Sequence, residues 1–104
     1  MSDSAFRALS DPTRRRILRM LAERDMTVSE IVEQFAISQP AVSRHLAVLR
    51  QAGLALAERS GQSVVYRLDT TVFQDVVRAL LDLVPAAEIG VAPRGRRRAR
   101  EAKE

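Results

Sequence analysis

Apolar side chains recur at helical spacing along several stretches of this 104-residue chain, and capping chemistry sits at the breaks between them. Asp11-Pro12 reads as a helix start, with Asp11 as N-cap and Pro12 at the first helical position; Ile17, Leu18 and Leu21 then follow at helical spacing. A shorter helix over about residues 4–9 precedes it and offers Phe6 and Leu9. Thr27-Val28-Ser29-Glu30 has the form of a capping box, opening a helix whose inner face carries Val28, Ile31, Val32 and Phe35. Ser38 is the next N-cap, and Pro40 falls in the first turn, where a missing N–H costs little. That helix runs to about residue 52, and Gly53 suits the left-handed position just past its end. Ala41, Val42, Leu46 and Leu49 point inward along it. Two helices joined by a tight turn around Ala36-Ile37 make a helix-turn-helix layout.

Beyond Gly53 the period changes. Residues 54–60 and 63–68 are short apolar-rich runs flanking Gly61-Gln62, and Val64, Val65 and Tyr66 favour strand, which predicts a β-hairpin with its tip at Gly61. Asp69 or Thr70 caps a last helix to about residue 84, ended by Pro85. The predicted order is α-α-α-α-β-β-α: mainly α with a small β-hairpin, a winged helix-turn-helix. Residues 1–85 form the expected domain for DNA binding and dimerisation. Residues 86–104 mix Pro, Gly, Ala and charge without an apolar period, so a basic, disordered tail is expected there.

Composition narrows the class. Hydrophobic residues make up 46% of the chain but aromatics only 4%, with no Trp, so Leu, Val, Ile and Ala must build the core. The absence of Cys excludes a disulfide framework, a thiolate metal site and a Cys nucleophile. No apolar run reaches the roughly 18–20 residues of a membrane span, and the first residues lack a signal-peptide layout, so a cytoplasmic protein without membrane association is expected. No Ser-His-Asp set, carboxylate pair or phosphate-cradling Gly loop stands out, and an enzyme is not expected. Residues 1–85 carry 11 basic and 10 acidic side chains; residues 86–104 carry 6 and 3. The body is thus nearly neutral, and placement of charge matters more than its sum.

Placement points to the stretch SQPAVSRHL. Its outward positions hold Gln39, Pro40, Ser43 and Arg44, and no acid. Arg pairs bidentately with guanine, Gln with adenine, and Ser with base or phosphate, whereas a carboxylate there would repel the backbone. Ser38 stands at the start of the helix, where N-terminal turns meet base edges. On the hairpin, Arg59, Gln62 and Arg67 can reach phosphates or the adjacent minor groove. His45, the single His, suits packing or a phosphate contact, with base contact as the alternative. Arg14, Arg15 and Arg16 read as a solvated charge run. The predicted partner is double-stranded DNA.

ALSDPTRRRIL, SQPAVSRHLAVLRQAGL and the hairpin close VVYRL resemble the ArsR/SmtB family of bacterial repressors, the likeness covering about residues 4–84. The resemblance implies a homodimeric winged-helix repressor of a palindromic operator, with base contacts from the positions matching Gln39, Ser43 and Arg44. A transcriptional activator, or a winged helix that partners a second regulator as co-regulator, are the alternatives. The last helix is apolar on more than one side, and a surface helix of one domain needs only one stripe. The resemblance supplies the second partner: the same helix of another subunit, helped by the first helix. The expected seam is Phe6, Leu9, Phe73, Val76, Val77, Leu80 and Val84. Where thiolate sensors of the family carry a Cys-Val-Cys-Asp type box, this chain has Thr27-Val28-Ser29-Glu30. Where others carry carboxylates and His on the last helix, it has Thr70, Val72, Leu83 and Ala86. No metal and no cofactor is therefore expected, although a weak oxygen-ligand site for a borderline ion such as nickel stays open.

Overall fold

The computed structural model describes residues 3–85; the predicted tail, and Ala86 with it, lies outside the described residues. Eight elements follow one another: α1 (Asp3–Leu9), α2 (Pro12–Glu23), β1 (Met26–Thr27), α3 (Val28–Val32), α4 (Gln39–Gln51), β2 (Ala55–Ser60), β3 (Ser63–Leu68) and α5 (Thr70–Leu81).

Each predicted N-cap forms. The Asp11 carboxylate accepts the Arg14 backbone N–H at 3.0 Å, and Ser38 Oγ accepts that of Ala41 at 3.3 Å. Asp69 accepts the Thr71 N–H at 3.0 Å. The capping box closes in both directions: Glu30 N–H donates to Thr27 Oγ1 at 3.2 Å, and Thr27 N–H donates to Glu30 Oε1 at 2.8 Å. Such a cap contributes about 1 kcal/mol.

The end of α4 is a Schellman motif. Gly53, at φ +79°, donates to the Arg50 carbonyl at 3.0 Å, and Leu54 donates to that of Leu49 at 2.9 Å. Leu49 and Leu54, the pair that accompanies this turn, are both fully buried. The Leu49 and Arg50 carbonyls are thus paired where the chain passes from α4 into β2.

The sheet differs from the prediction. It has three antiparallel strands in the order β1-β3-β2, because Met26 and Thr27 pair with Tyr66 and Val65. A two-residue strand has no period to read, and it shares Thr27 with the capping box. The predicted hairpin forms, with Ala55 opposite Leu68 through Ser60 opposite Ser63, around a two-residue loop. Gly61 holds φ +63° at its first position, as primed turns require.

Ile17, Ile31, Val42, Leu46, Leu49 and Leu54 are the largest fully buried side chains, three of them from α4, and no polar or charged residue among those described is buried. Two helix ends and one burial differ from expectation. Helix α3 stops at Val32, leaving Phe35 in the turn but still against the core. Ala41 is half-buried rather than inside. Helix α5 stops at Leu81, three residues short of the predicted end.

The two glycines should respond differently to alanine. At Gly61 an added Cβ meets nothing, so only left-handed strain of about 1–2 kcal/mol is expected. At Gly53 it would sit 2.8 Å from Val72 Cγ2 of α5, adding an overpacking cost of about 1–3 kcal/mol. Urea unfolding should therefore rank Gly53→Ala clearly below Gly61→Ala; equal midpoints would contradict a tight α4–α5 joint.

Candidate nucleic-acid interface

Helix α4 divides cleanly. Val42, Leu46 and Leu49 are at zero exposure, whereas Gln39, Pro40, Ser43, Arg44 and Ala47 face solvent. None of its thirteen residues is acidic, and the Gln39, Ser43 and Arg44 side chains have no partner among the described residues. Ser38 sits one residue before them with its oxygen already accepting the Ala41 N–H, so it caps the helix while its hydroxyl proton stays available. Arg50, which sequence reasoning passed over, extends the same basic stripe. With Ala47 and Gln51 it lines a groove of about 390 Å³ against Ala55, Leu56 and Ala57 of β2. Its signal was present: it follows Ala47 by three residues.

The wing splits the sequence-predicted pair of arginines. Strand alternation puts Arg59 on the face of β2 that carries Ala55 and Ala57, two of the three β2 residues lining the α4 groove. Arg67 pairs with Leu56 across the ladder and so lies on the opposite face. Its guanidinium is engaged there, 3.2 Å from Glu58 Oε1 and 3.5 Å from Asp25 Oδ2. Arg67, expected as a DNA-facing cation, here ties β3, β2 and the turn before β1 while its side chain stays half exposed. Arg59 and Gln62 are exposed and unpartnered among the described residues.

His45 is turned toward α2. Its Nδ1 lies 3.3 Å from Arg14 Nη1 and 3.9 Å from Asp11 Oδ2, and its side chain keeps 23% exposure. Arg14 also donates to the Ala8 and Arg7 carbonyls, at 2.8 and 3.1 Å. Arg15 donates to the Leu9 carbonyl at 2.8 Å. Arg16 donates to the Gln34 carbonyl at 2.7 Å and stacks 4.4 Å from the Phe35 ring centre. The supposed solvated run is thus a set of struts. Arg14 and Arg15 donate to the last carbonyls of α1, and Arg16 pins the α3–α4 turn.

On the far side, α5 leaves Val77, Leu80 and Leu81 about half exposed, followed by Leu83 and Val84 and neighboured on α1 by Phe6. Val76 must be withdrawn from the expected seam. It is 3% exposed within its own chain, because α5 packs on α1 through that side. Phe73 and Leu9 are half-buried and line a groove of about 360 Å³ with Leu18, Ala22 and Leu68. At the positions of the family's thiolate box, the Thr27 hydroxyl and the Glu30 carboxylate make the capping box. Among the described residues, no three of His, Asp and Glu converge. No described helix is long and apolar enough to cross a membrane.

A donor-lined helix held over a small core, with a β-wing beside it, defines a winged helix-turn-helix regulator that binds DNA. The family model for bacterial regulatory proteins of the arsR family matches residues 11–55. The transcriptional repressor SdpR of Bacillus subtilis is 45% identical over 82 residues, spanning 79% of this chain and 91% of that protein. An arsenic resistance transcriptional regulator of Pseudomonas putida is 40% identical over 89 residues, 85% of this chain and 70% of its own length. The crystal structure of an ArsR-like transcriptional regulator from Rhodococcus sp. RHA1 superposes with a TM-score of 0.70 at 31% identity, over 77% of this chain and 76% of that one. The chain belongs to the arsR family of bacterial regulatory proteins.

The Asp11 cap carries a pH signature. The backbone N–H of Arg14 holds the Asp11 carboxyl below its ordinary value, with the charge of Arg14 adding to the effect. Glu30 is lowered in the same way, first by the Thr27 N–H and then by Arg24. A carboxyl lowered on folding stabilises the protein above its unfolded pKa, and that contribution is lost as pH falls through the folded value. Asn at position 11 can still cap but cannot ionise. Asp11→Asn should therefore be less stable than wild type at pH 6, and the two should converge below about pH 4. Urea midpoints measured across that range check it; parallel curves would refute the assignment.

Proposed function

We propose that the chain is a homodimeric repressor that reads a palindromic operator through α4. The observation that carries this reading is the unpartnered, acid-free donor face of Gln39, Ser43 and Arg44, with Arg59 on the adjoining face of the wing. Gln39, Ser43 and Arg44 supply base contacts; Pro40 offers an apolar edge, and Ser38, Arg50, Arg59 and Gln62 hold phosphates or the neighbouring minor groove. Repression is supported by the name of the Bacillus subtilis relative. The protein works in the cytoplasm, without the soft-metal sites of thiolate sensors, since Cys is absent and Thr27 and Glu30 serve as a cap. Residues 1–85 act as one unit for DNA binding and assembly.

The second copy belongs on α5. Val77, Leu80, Leu81 and Val84, with Phe6, form an exposed apolar set that a lone small domain has no use for. Two-fold pairing there presents two α4 helices to half-sites one helical turn apart or a multiple of it, about 34–36 Å per turn.

Selection of bound fragments from a bacterial genome gives the operator, and a reporter placed behind it separates repression from activation. Arg44→Ala should lose about 1–3 kcal/mol of discrimination at one base pair per half-site. Arg59→Ala should weaken all sequences alike and lower the salt slope by roughly one per subunit. An unchanged sequence preference in Arg44→Ala would remove Arg44 from the reading face.

Assembly is tested separately. Sedimentation should give twice the 11.6 kDa chain mass for wild type at micromolar concentration. Leu80→Glu places an unpaired charge in the seam and should give the monomer, with operator affinity lost alongside. A monomeric wild type would sink the dimer.

A further inference from the structure

Helix α4 is seated by Val42, Leu46 and Leu49, a contact that keeps this side inward but, being non-directional, leaves the fine adjustment of its rotation to polar contacts. Among the described residues, one side-chain hydrogen bond joins α4 to another helix, the bond between His45 Nδ1 and Arg14 Nη1. A guanidinium can only donate, so Nδ1 is the acceptor and the imidazole proton sits on Nε2. Arg14 is fixed in turn, with Nε on the Ala8 carbonyl and Nη2 on the Arg7 carbonyl, both in the last turn of α1. Its own N–H is held by the Asp11 carboxylate, whose Oδ2 lies 3.9 Å from the same His nitrogen. Three rigidly spaced donors therefore bridge two helix ends and the side of α4.

We propose that Arg14 is a positioning residue for DNA recognition: acting through His45, it sets the rotation of α4 from the end of α1 and touches no DNA itself. Arg44 is the residue before His45, so the rotation fixed at His45 aims the Arg44 guanidinium. The proposal rests on the DNA-reading role of α4 argued above and adds how that role is held. It also assigns His45, read from sequence as packing or a phosphate contact, to an internal tie. Because α1 neighbours the exposed α5 face, the same link connects the assembly side of the molecule to its reading side.

Arg14→Lys keeps the charge but cannot span three acceptors from one ammonium. His45→Asn keeps an acceptor near the Nδ1 position, and His45→Leu removes it. Each variant is titrated with the selected operator and with unrelated duplex DNA over a salt series, and its fold is checked by thermal melting. In Arg14→Lys and His45→Leu, the ratio of operator to unrelated-DNA affinity should fall about tenfold or more, the scale of one mismatched base pair. The salt slope should stay at the wild-type value. His45→Asn should retain most of the wild-type ratio. In wild type, imidazole 15N spectra should show the Nε2–H tautomer, changed in Arg14→Lys. A loss shared equally by both DNAs, with a salt slope lower by about one per subunit, would make these residues phosphate contacts and overturn the proposal. So would an unchanged ratio in folded Arg14→Lys and His45→Leu. Should Arg14→Lys fail to fold, the His45→Leu and His45→Asn pair decides alone. Wild type without any sequence preference would instead overturn the DNA-reading role, and this proposal with it.

Discussion

The burial of Val42, Leu46 and Leu49 against Ile17, Ile31 and Leu54 is the constraint on which the other features rest. It is made almost without aromatic rings and without a single buried polar group among the described residues. A core of branched aliphatics supplies attraction but little angular definition. The directional work passes to the periphery, where side chains meet backbone groups at helix ends. Asp11, Thr27, Ser38 and Asp69 begin the helices, and Gly53 ends α4 at a fixed angle to β2. Arg14, Arg15 and Arg16 then brace α1 and the α3–α4 turn. Helix α4 is thus gripped at both ends and along one side.

This division explains what could be read from the chain beforehand. Capping is local, so Ser38 and Thr27-Glu30 declared their helices within four residues, and Gly53 declared an ending. The hairpin was legible because Gly61-Gln62 separates two β-rich runs. The first strand was not, since two residues have no period and its partner Tyr66 lies forty positions away. The same blindness applied to the arginines. Arg67 looked like Arg59 until register placed them on opposite faces, and Arg14 to Arg16 looked solvated until the end of α1 was seen beside them. On α5, an apolar count could not separate Val76, which faces α1, from Val77, which faces outward. The outward residues of α4 were legible as a surface, and their chemistry came from residue type alone.

The two sides of α4 answer to different selective pressures. Changes at Val42, Leu46 or Leu49 disturb packing shared by every layer, whereas Gln39, Ser43, Arg44 and Ala47 contact nothing that the fold requires. Exposed substitutions of this kind usually shift stability by no more than about 0.5 kcal/mol. Under the proposed reading of DNA by α4, a descendant of this gene can drift toward a new target sequence one outward residue at a time, with the scaffold left intact. Duplicated copies would diverge first along that stripe, which makes this small domain a ready starting point for separate regulatory circuits.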